Sequence, residues 1–152
     1  MMFEKIYNFL ALSDTLFTGG MPKADQIESA AQAGVKAVIN LAIHGLPHAL
    51  PDEENLVHSL GMDYINIPVD WNNPTRQNLD DFLDAMDTRR DEKVLVHCEA
   101  NYRATGFTAL YRILRQGWEP AEAFDVMHKI WNEEKYPVWK KFIQDNLPKG
   151  KK

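Results

Sequence analysis

The chain has a single cysteine, Cys98, among its 152 residues. No internal disulfide can form, so nothing ties the fold to an oxidising compartment and the expected location is cytoplasmic. Long apolar runs are missing as well, and no stretch approaches a membrane span. Residues 1–12 are interrupted by Glu4, Lys5 and Asn8 and carry no small-residue cleavage site, which predicts no signal peptide. Basic residues are not in excess: the net charge is −5. Nucleic acid and anionic membrane both reward basic surfaces, so neither is expected as a partner. The one basic run, Lys149-Gly150-Lys151-Lys152, reads as a solvated end. Repeats and low-complexity tracts are absent, and nothing specifies an oligomeric state. What remains is 45% apolar and 26% charged, the balance of an ordinary globular domain. The length suffices for one domain with a real core, residues 1–152, and not for two.

The pattern along the chain alternates. Leu16-Phe17-Thr18 reads as a short strand broken by Gly19-Gly20-Met21-Pro22. Pro22 suits the first turn of a helix over Ala24 to Ala33, which Gly34 ends. Val35 to Leu41 is β-branched and apolar nearly throughout, as a strand covered on both faces should be. After a loop holding Gly45, Pro47 and Pro51, Asp52 is expected to cap a helix from Glu53 to Leu60. Met62 to Pro68 alternates as a strand, Thr75 can cap a helix over Asn78 to Arg90, and Val94 leads another strand. Helical spacing then runs from Arg103 to Gly117, from Glu119 to Trp131 and from Tyr136 to Leu147. This order predicts an α/β fold with a central, mostly parallel sheet of four to five strands flanked by helices. Sites in such sheets lie beyond the carboxyl ends of the strands, where Cys98 and Asp70 can meet.

The stretch with most chemical content is Val94-Leu95-Val96-His97-Cys98-Glu99-Ala100-Asn101-Tyr102-Arg103-Ala104-Thr105-Gly106. A strand, a tight polar loop and a helix N-terminus follow one another. Backbone N–H groups converge at such a turn, and the helix dipole favours an anion there. The same setting lowers the pKa of a thiol and makes it a nucleophile. The planar guanidinium of Arg103 suits bidentate contact with phosphate oxygens. Asn101 is the residue type that best tolerates a positive φ without being glycine. His44 and His48 are four apart with Pro47 between them and no third ligand in view, so no metal site is expected.

From about Leu16 to Arg115 the chain resembles the cysteine-dependent protein tyrosine and dual-specificity phosphatases. It is most similar to small bacterial phosphatase-like domains of unknown function, some of them fused to β-lactamase-like hydrolases. That family carries His-Cys, five residues, Arg and then a hydroxyl residue, often followed by Gly. Here Arg103 comes one residue early, while Thr105 and Gly106 keep the family's distance from Cys98, so an ungapped match sets Ala104 on the arginine position. The resemblance implies a phosphotyrosine-phosphatase-like fold and phosphomonoester hydrolysis through a phosphocysteine, with no cofactor and a phosphorylated substrate or phosphate-like anion as partner. It implies Cys98 as nucleophile, Arg103 as phosphate ligand, Asp70 as general acid and base, His97 as a hydrogen-bonding support, and Thr105 as the hydroxyl that helps the thiolate leave. Glu99, Ala100, Asn101, Tyr102 and Ala104 would line the substrate, and the Glu99 carboxylate would repel highly charged phosphates.

Two geometries fit the early arginine. In the family's frame, a shift of one position turns the side chain by roughly 100° around the helix. With a loop one residue shorter, Arg103 points correctly and the cradle loses one N–H. Two alternatives to a working phosphatase go with this spacing. One is a pseudophosphatase that binds a phosphate-like anion or partner without turnover. The other is a rhodanese-type sulfurtransferase, whose loop often reads Cys, four residues, Arg.

Overall fold

The computed structural model describes residues 2–149; Met1 and residues 150–152, with most of the basic tail, lie outside the described residues. Five strands make one sheet: β1 (Leu10–Ala11), β2 (Leu16–Gly19), β3 (Val35–Asn40), β4 (Asp63–Asn66) and β5 (Lys93–His97). Their spatial order is β1-β2-β5-β3-β4. β1 is antiparallel to β2, and every other pair is parallel. Parallel neighbours need long crossovers. Helices α1 (Ala24–Gln32), α2 (Glu53–Ser59) and α3 (Arg76–Asp87) supply them, and α4 (Tyr102–Gln116), α5 (Pro120–Met127) and α6 (Pro137–Asp145) close the chain after the last strand.

β5 sits at the centre, which explains its unbroken apolar run: Val94, Leu95 and Val96 are buried because both faces are covered. Side-chain alternation divides the sheet between two cores. Leu16, Ala37, Ile39, Val94 and Val96 face Leu79, Phe82, Phe107, Leu110 and Trp139 from α3, α4 and α6. Phe17, Val35, Val38 and Leu95 face Ile27 and Ala30 of α1, Val57 of α2, and Phe3 and Ile6 at the N-terminus. Each fully buried side chain of this size contributes roughly 1.5–3 kcal/mol.

Most expected elements are present. Thr75 caps α3 as read: its Oγ1 accepts from Asn78 N at 3.1 Å, and Asn78 Oδ1 accepts from Thr75 N at 3.1 Å. Gly117 ends α4 in the left-handed region at φ 72°. Asp52 is a correction. It stands at the N-cap of α2 but at φ 57°, and its carboxylate accepts from Asn55 Nδ2 at 2.7 Å instead of a helix N–H. β1 was not foreseen, because two residues are too short to show alternation.

Candidate active site

The carboxyl ends of the parallel strands form one row, in which Gly19 pairs with His97 and His97 pairs with Asn40, itself paired with Asn66. Cys98 comes next along the chain from His97 and is 1% exposed. Its N–H donates to Gly19 O at 3.2 Å. Alternation along β5 sends Val94, Val96 and Cys98 to the α4 side of the sheet. His97 therefore turns to the other side, where its Nε2 meets Glu53 Oε2 of α2 at 2.5 Å. Among the described residues no hydrogen bond joins the thiol to the imidazole. His97 reaches Cys98 through the backbone, with Nδ1 3.3 Å from Cys98 O.

The turn from strand to helix is Cys98–Asn101, and α4 begins at Tyr102. This is the shorter-loop geometry of the two that the spacing allows. Asn101 occupies the left-handed region at φ 71°, as its residue type suggested. Its side chain faces away from the loop opening and donates to Asn8 O at 2.7 Å and to Thr18 Oγ1 at 3.0 Å. Ala100 O accepts from Asn8 Nδ2 at 3.0 Å, and Glu99 O accepts from Met21 N at 2.9 Å. These bonds fix the loop carbonyls outward. A Cβ on Gly20 would stand 2.6 Å from Glu99 O, so only glycine lets the neighbouring strand end approach this closely. Among the described residues, the N–H groups of Glu99, Ala100, Tyr102, Arg103 and Ala104 have no protein acceptor. Together with the dipole of α4 they form a ready anion cradle beside Cys98.

Arg103 is 7% exposed and donates through Nη1 to Val69 O at 2.7 Å. Its Nε and Nη2 make no protein hydrogen bond, and neither is sealed in the interior. Val69 immediately precedes Asp70, so the arginine and the expected acid share one wall. The Asp70 side chain is exposed, and Oδ1 accepts from Asn72 N at 2.9 Å. That wall is tied to β3, since Ile67 N donates to Asn40 O at 2.9 Å and Val69 N to Leu41 O at 3.0 Å. Ala104 is fully buried, and it is Arg103, not position 104, that carries the guanidinium to this wall.

Thr105 and Tyr102 depart from the expected roles. The Thr105 hydroxyl donates to Asn101 O at 2.6 Å and accepts from Trp131 Nε1 at 2.9 Å. No hydrogen bond joins it to Cys98 Sγ among the described residues, and it anchors the start of α4 rather than the thiol. The Tyr102 ring stacks on Trp131 at 5.2 Å with 4° between planes. Its backbone N–H is one of those without a protein acceptor. Trp71, next after Asp70, stacks on Trp139 at 5.1 Å, and Trp139 Nε1 donates to Trp71 O at 2.8 Å. Aromatic residues of α6 and of the segment that precedes it thus form the back of the loop that carries Asp70. Their sequence spacing showed helices, but nothing in it could show that they converge on Trp71. Glu53 was also missed; a buried carboxylate at the start of an amphipathic helix looks like an ordinary first-turn acid.

The family comparison agrees with this geometry. Residues 15–117 match the model of a polymorphic toxin system DSP-PTPase phosphatase domain. The chain belongs to this family. It is also similar to a candidate phosphatase (DUF442) from Shewanella putrefaciens CN-32, at 39% identity over 93% of this chain and 89% of that one, with a TM-score of 0.86. At lower identity the likeness is one of fold. TpbA of P. aeruginosa, solved with phosphotyrosine, shares 20% identity over 90% of this chain and 83% of its own, with a TM-score of 0.72. PTPMT1, solved with PI(5)P, shares 21% identity over 91% of this chain and 96% of its own, with a TM-score of 0.73. No curated protein sequence matches. The family is one of cysteine-based phosphatases, which leaves the sulfurtransferase alternative without support. Among the described residues no helix is long and apolar enough to cross a membrane.

Proposed function

We propose that Cys98 is the nucleophile of this phosphatase and that it hydrolyses phosphomonoesters through a phosphocysteine. The observation that carries this reading is the set of acceptor-free N–H groups beginning one residue after the chain's only cysteine. In the first step the Cys98 thiolate attacks phosphorus. The Sγ–P bond forms, the P–O bond to the leaving group breaks, and Asp70 gives its proton to the leaving oxygen. The loop N–H groups and the two free edges of Arg103 hold the phosphoryl oxygens as charge develops on them. In the second step Asp70 takes a proton from water, the water oxygen attacks phosphorus, and the Sγ–P bond breaks to release phosphate and the thiolate. The scheme uses neither metal nor cofactor.

Glu99 is half-buried beside the nucleophile, and its charge disfavours polyanionic substrates. We therefore place the substrate among phosphomonoesters of low charge, nearer the phosphotyrosine of TpbA than the PI(5)P of PTPMT1. A reducing cytoplasm suits a mechanism that depends on a free thiol. The test is hydrolysis of p-nitrophenyl phosphate from about pH 5 to about pH 8, wild type beside Cys98→Ser. Turnover should fall to background in the variant. Persistent turnover overturns the nucleophile, and no turnover in either protein, with orthovanadate still bound, leaves an anion-binding protein.

A further inference from the structure

Behind β5, on the face away from the thiol, lies a buried polar chain that the scheme above does not use. Glu53 is 4% exposed and His97 is fully buried. Glu53 Oε1 accepts from Asn40 Nδ2 at 3.2 Å, and Oε2 faces His97 Nε2 at 2.5 Å. The second Asn40 amide hydrogen goes to Tyr64 Oη at 3.0 Å, and Asn40 Oδ1 accepts from Ala42 N at 2.8 Å. The amide is fully used, and its orientation is fixed by the Ala42 N–H. Tyr64 Oη in turn contacts His44 Nε2 at 2.7 Å. The titratable groups that face this chain are Glu53 from α2, Tyr64 from β4, and His44 from the loop between β3 and α2, with Glu54 acting on Tyr64 through its charge. Tyr64 keeps its phenol proton, because burial and then the Glu53 charge hold it well above its usual value.

Both ring nitrogens of His97 face acceptors, a carboxylate oxygen at one end and the Cys98 carbonyl at the other. A neutral imidazole has one N–H and cannot serve both. An imidazolium–carboxylate pair follows, with its positive end toward Cys98. The bond from Nδ1 to Cys98 O has a second effect. In a trans peptide the carbonyl and the next N–H point in opposite directions. With Cys98 O held toward His97, the Glu99 N–H is turned away from it.

We propose that Glu53 is a positioning residue for the nucleophile. It keeps His97 doubly protonated and oriented, and His97 holds the Cys98–Glu99 peptide while placing a positive charge behind the thiolate. This rests on Cys98 as the reacting thiol, but its test needs no turnover. The rate of Cys98 alkylation by iodoacetamide is measured against pH in wild type, Glu53→Gln and Glu53→Ala. Glutamine can accept from Asn40 and donate to His97 Nε2, so it keeps the geometry and leaves the ring neutral. The alkylation midpoint should rise by about one pH unit in Glu53→Gln, a roughly ten-fold loss of thiolate below it. Glu53→Ala should raise it at least as far. In a His97→Asn background the same Glu53→Gln change should move the midpoint by less than about a third as much. The ¹⁵N shifts of His97 in the unaltered protein should be those of an imidazolium at neutral pH. A folded Glu53→Gln protein that titrates like wild type overturns the proposal, as does a neutral His97 in wild type. Turnover that survives Cys98→Ser beside an intact Glu53 effect would remove the phosphatase mechanism and leave this coupling standing.

Discussion

Cys98 and His97 are neighbours in the chain and lie on opposite sides of one sheet, and the two sides are built from different material. On the thiol's side, Trp71, Tyr102, Trp131, Tyr136 and Trp139 pack ring against ring behind the acid loop. On the imidazole's side, Glu53, Asn40, Tyr64 and His44 form a hydrogen-bonded line. Aromatic packing fixes shape and responds little to pH or salt. The buried end of this line, Glu53 with His97 and Asn40, fixes a proton and a field, and each of its members must stay paired. Strand alternation alone imposes this division: whatever occupies position 97 must point away from what occupies position 98. Substitutions on the aromatic side should therefore change turnover at an unchanged thiol midpoint. Those on the polar side should move the midpoint.

The largest effect on the thiol's side, after loss of Cys98, is expected from Arg103. Arg103→Ala removes the proposed anion ligand and strips Val69 O of its buried donor, so the loop that carries Asp70 loses a tie at the same time. We expect kcat/KM for p-nitrophenyl phosphate to fall about 10³-fold. Arg103→Lys should recover little of this, because an ammonium cannot reach Val69 O and present a fork to the anion together. Steady-state kinetics on both variants decide it; a fully active lysine variant would show that charge alone suffices. Asp70→Asn comes next, with kcat down about 10²-fold. The general acid must be protonated in the first step, so the rate falls as pH rises through its pKa. Asparagine has no such transition, and the alkaline limb of the pH profile should flatten. An alkaline limb that persists in Asp70→Asn would assign that limb to another group.

The sequence carried the sheet well because its signals are local. The apolar run of Val94 to Val96, the capping pair Thr75 and Asn78, and the stops at Gly34 and Gly117 each act within a few residues. The same holds for Asn101, whose left-handed backbone follows from its residue type and place in the turn. What sequence could not carry is contact at a distance. Glu53 meets His97 across 44 residues, and Trp139 meets Trp71 across 68. Thr105 illustrates the limit of matching by count. Its distance from Cys98 along the chain is the family's, but the loop is short and helix geometry turns the hydroxyl back onto Asn101 O. Arg103 is the converse: one residue early by count, and yet on the wall that holds Asp70, because the loop and not the helix absorbs the difference.

The smallest effect is also the sharpest test of the contrast between the two sides. Trp139 is fully buried, stacks on Trp71, and donates its indole N–H to Trp71 O at 2.8 Å. Trp139→Phe keeps an aromatic ring in the cluster and removes that one donor. Trp71 is only partly buried, so water can replace the lost partner in part, and the cost should be about 1–2 kcal/mol. For a chain of this size that lowers the melting temperature by about 2–8 °C. The acid loop keeps its ties to β3 and to Arg103, so kcat should drop only about three- to five-fold, a barrier change of under about 1 kcal/mol. Thermal melts, steady-state kinetics and the iodoacetamide titration on this one variant separate the cases. Reduced kcat at an unmoved thiol midpoint is the expected result, because nothing in the aromatic cluster touches Glu53 or His97. A midpoint that shifts together with kcat would mean that the sheet transmits strain between its two sides, and that shape and charge at this site are not set independently.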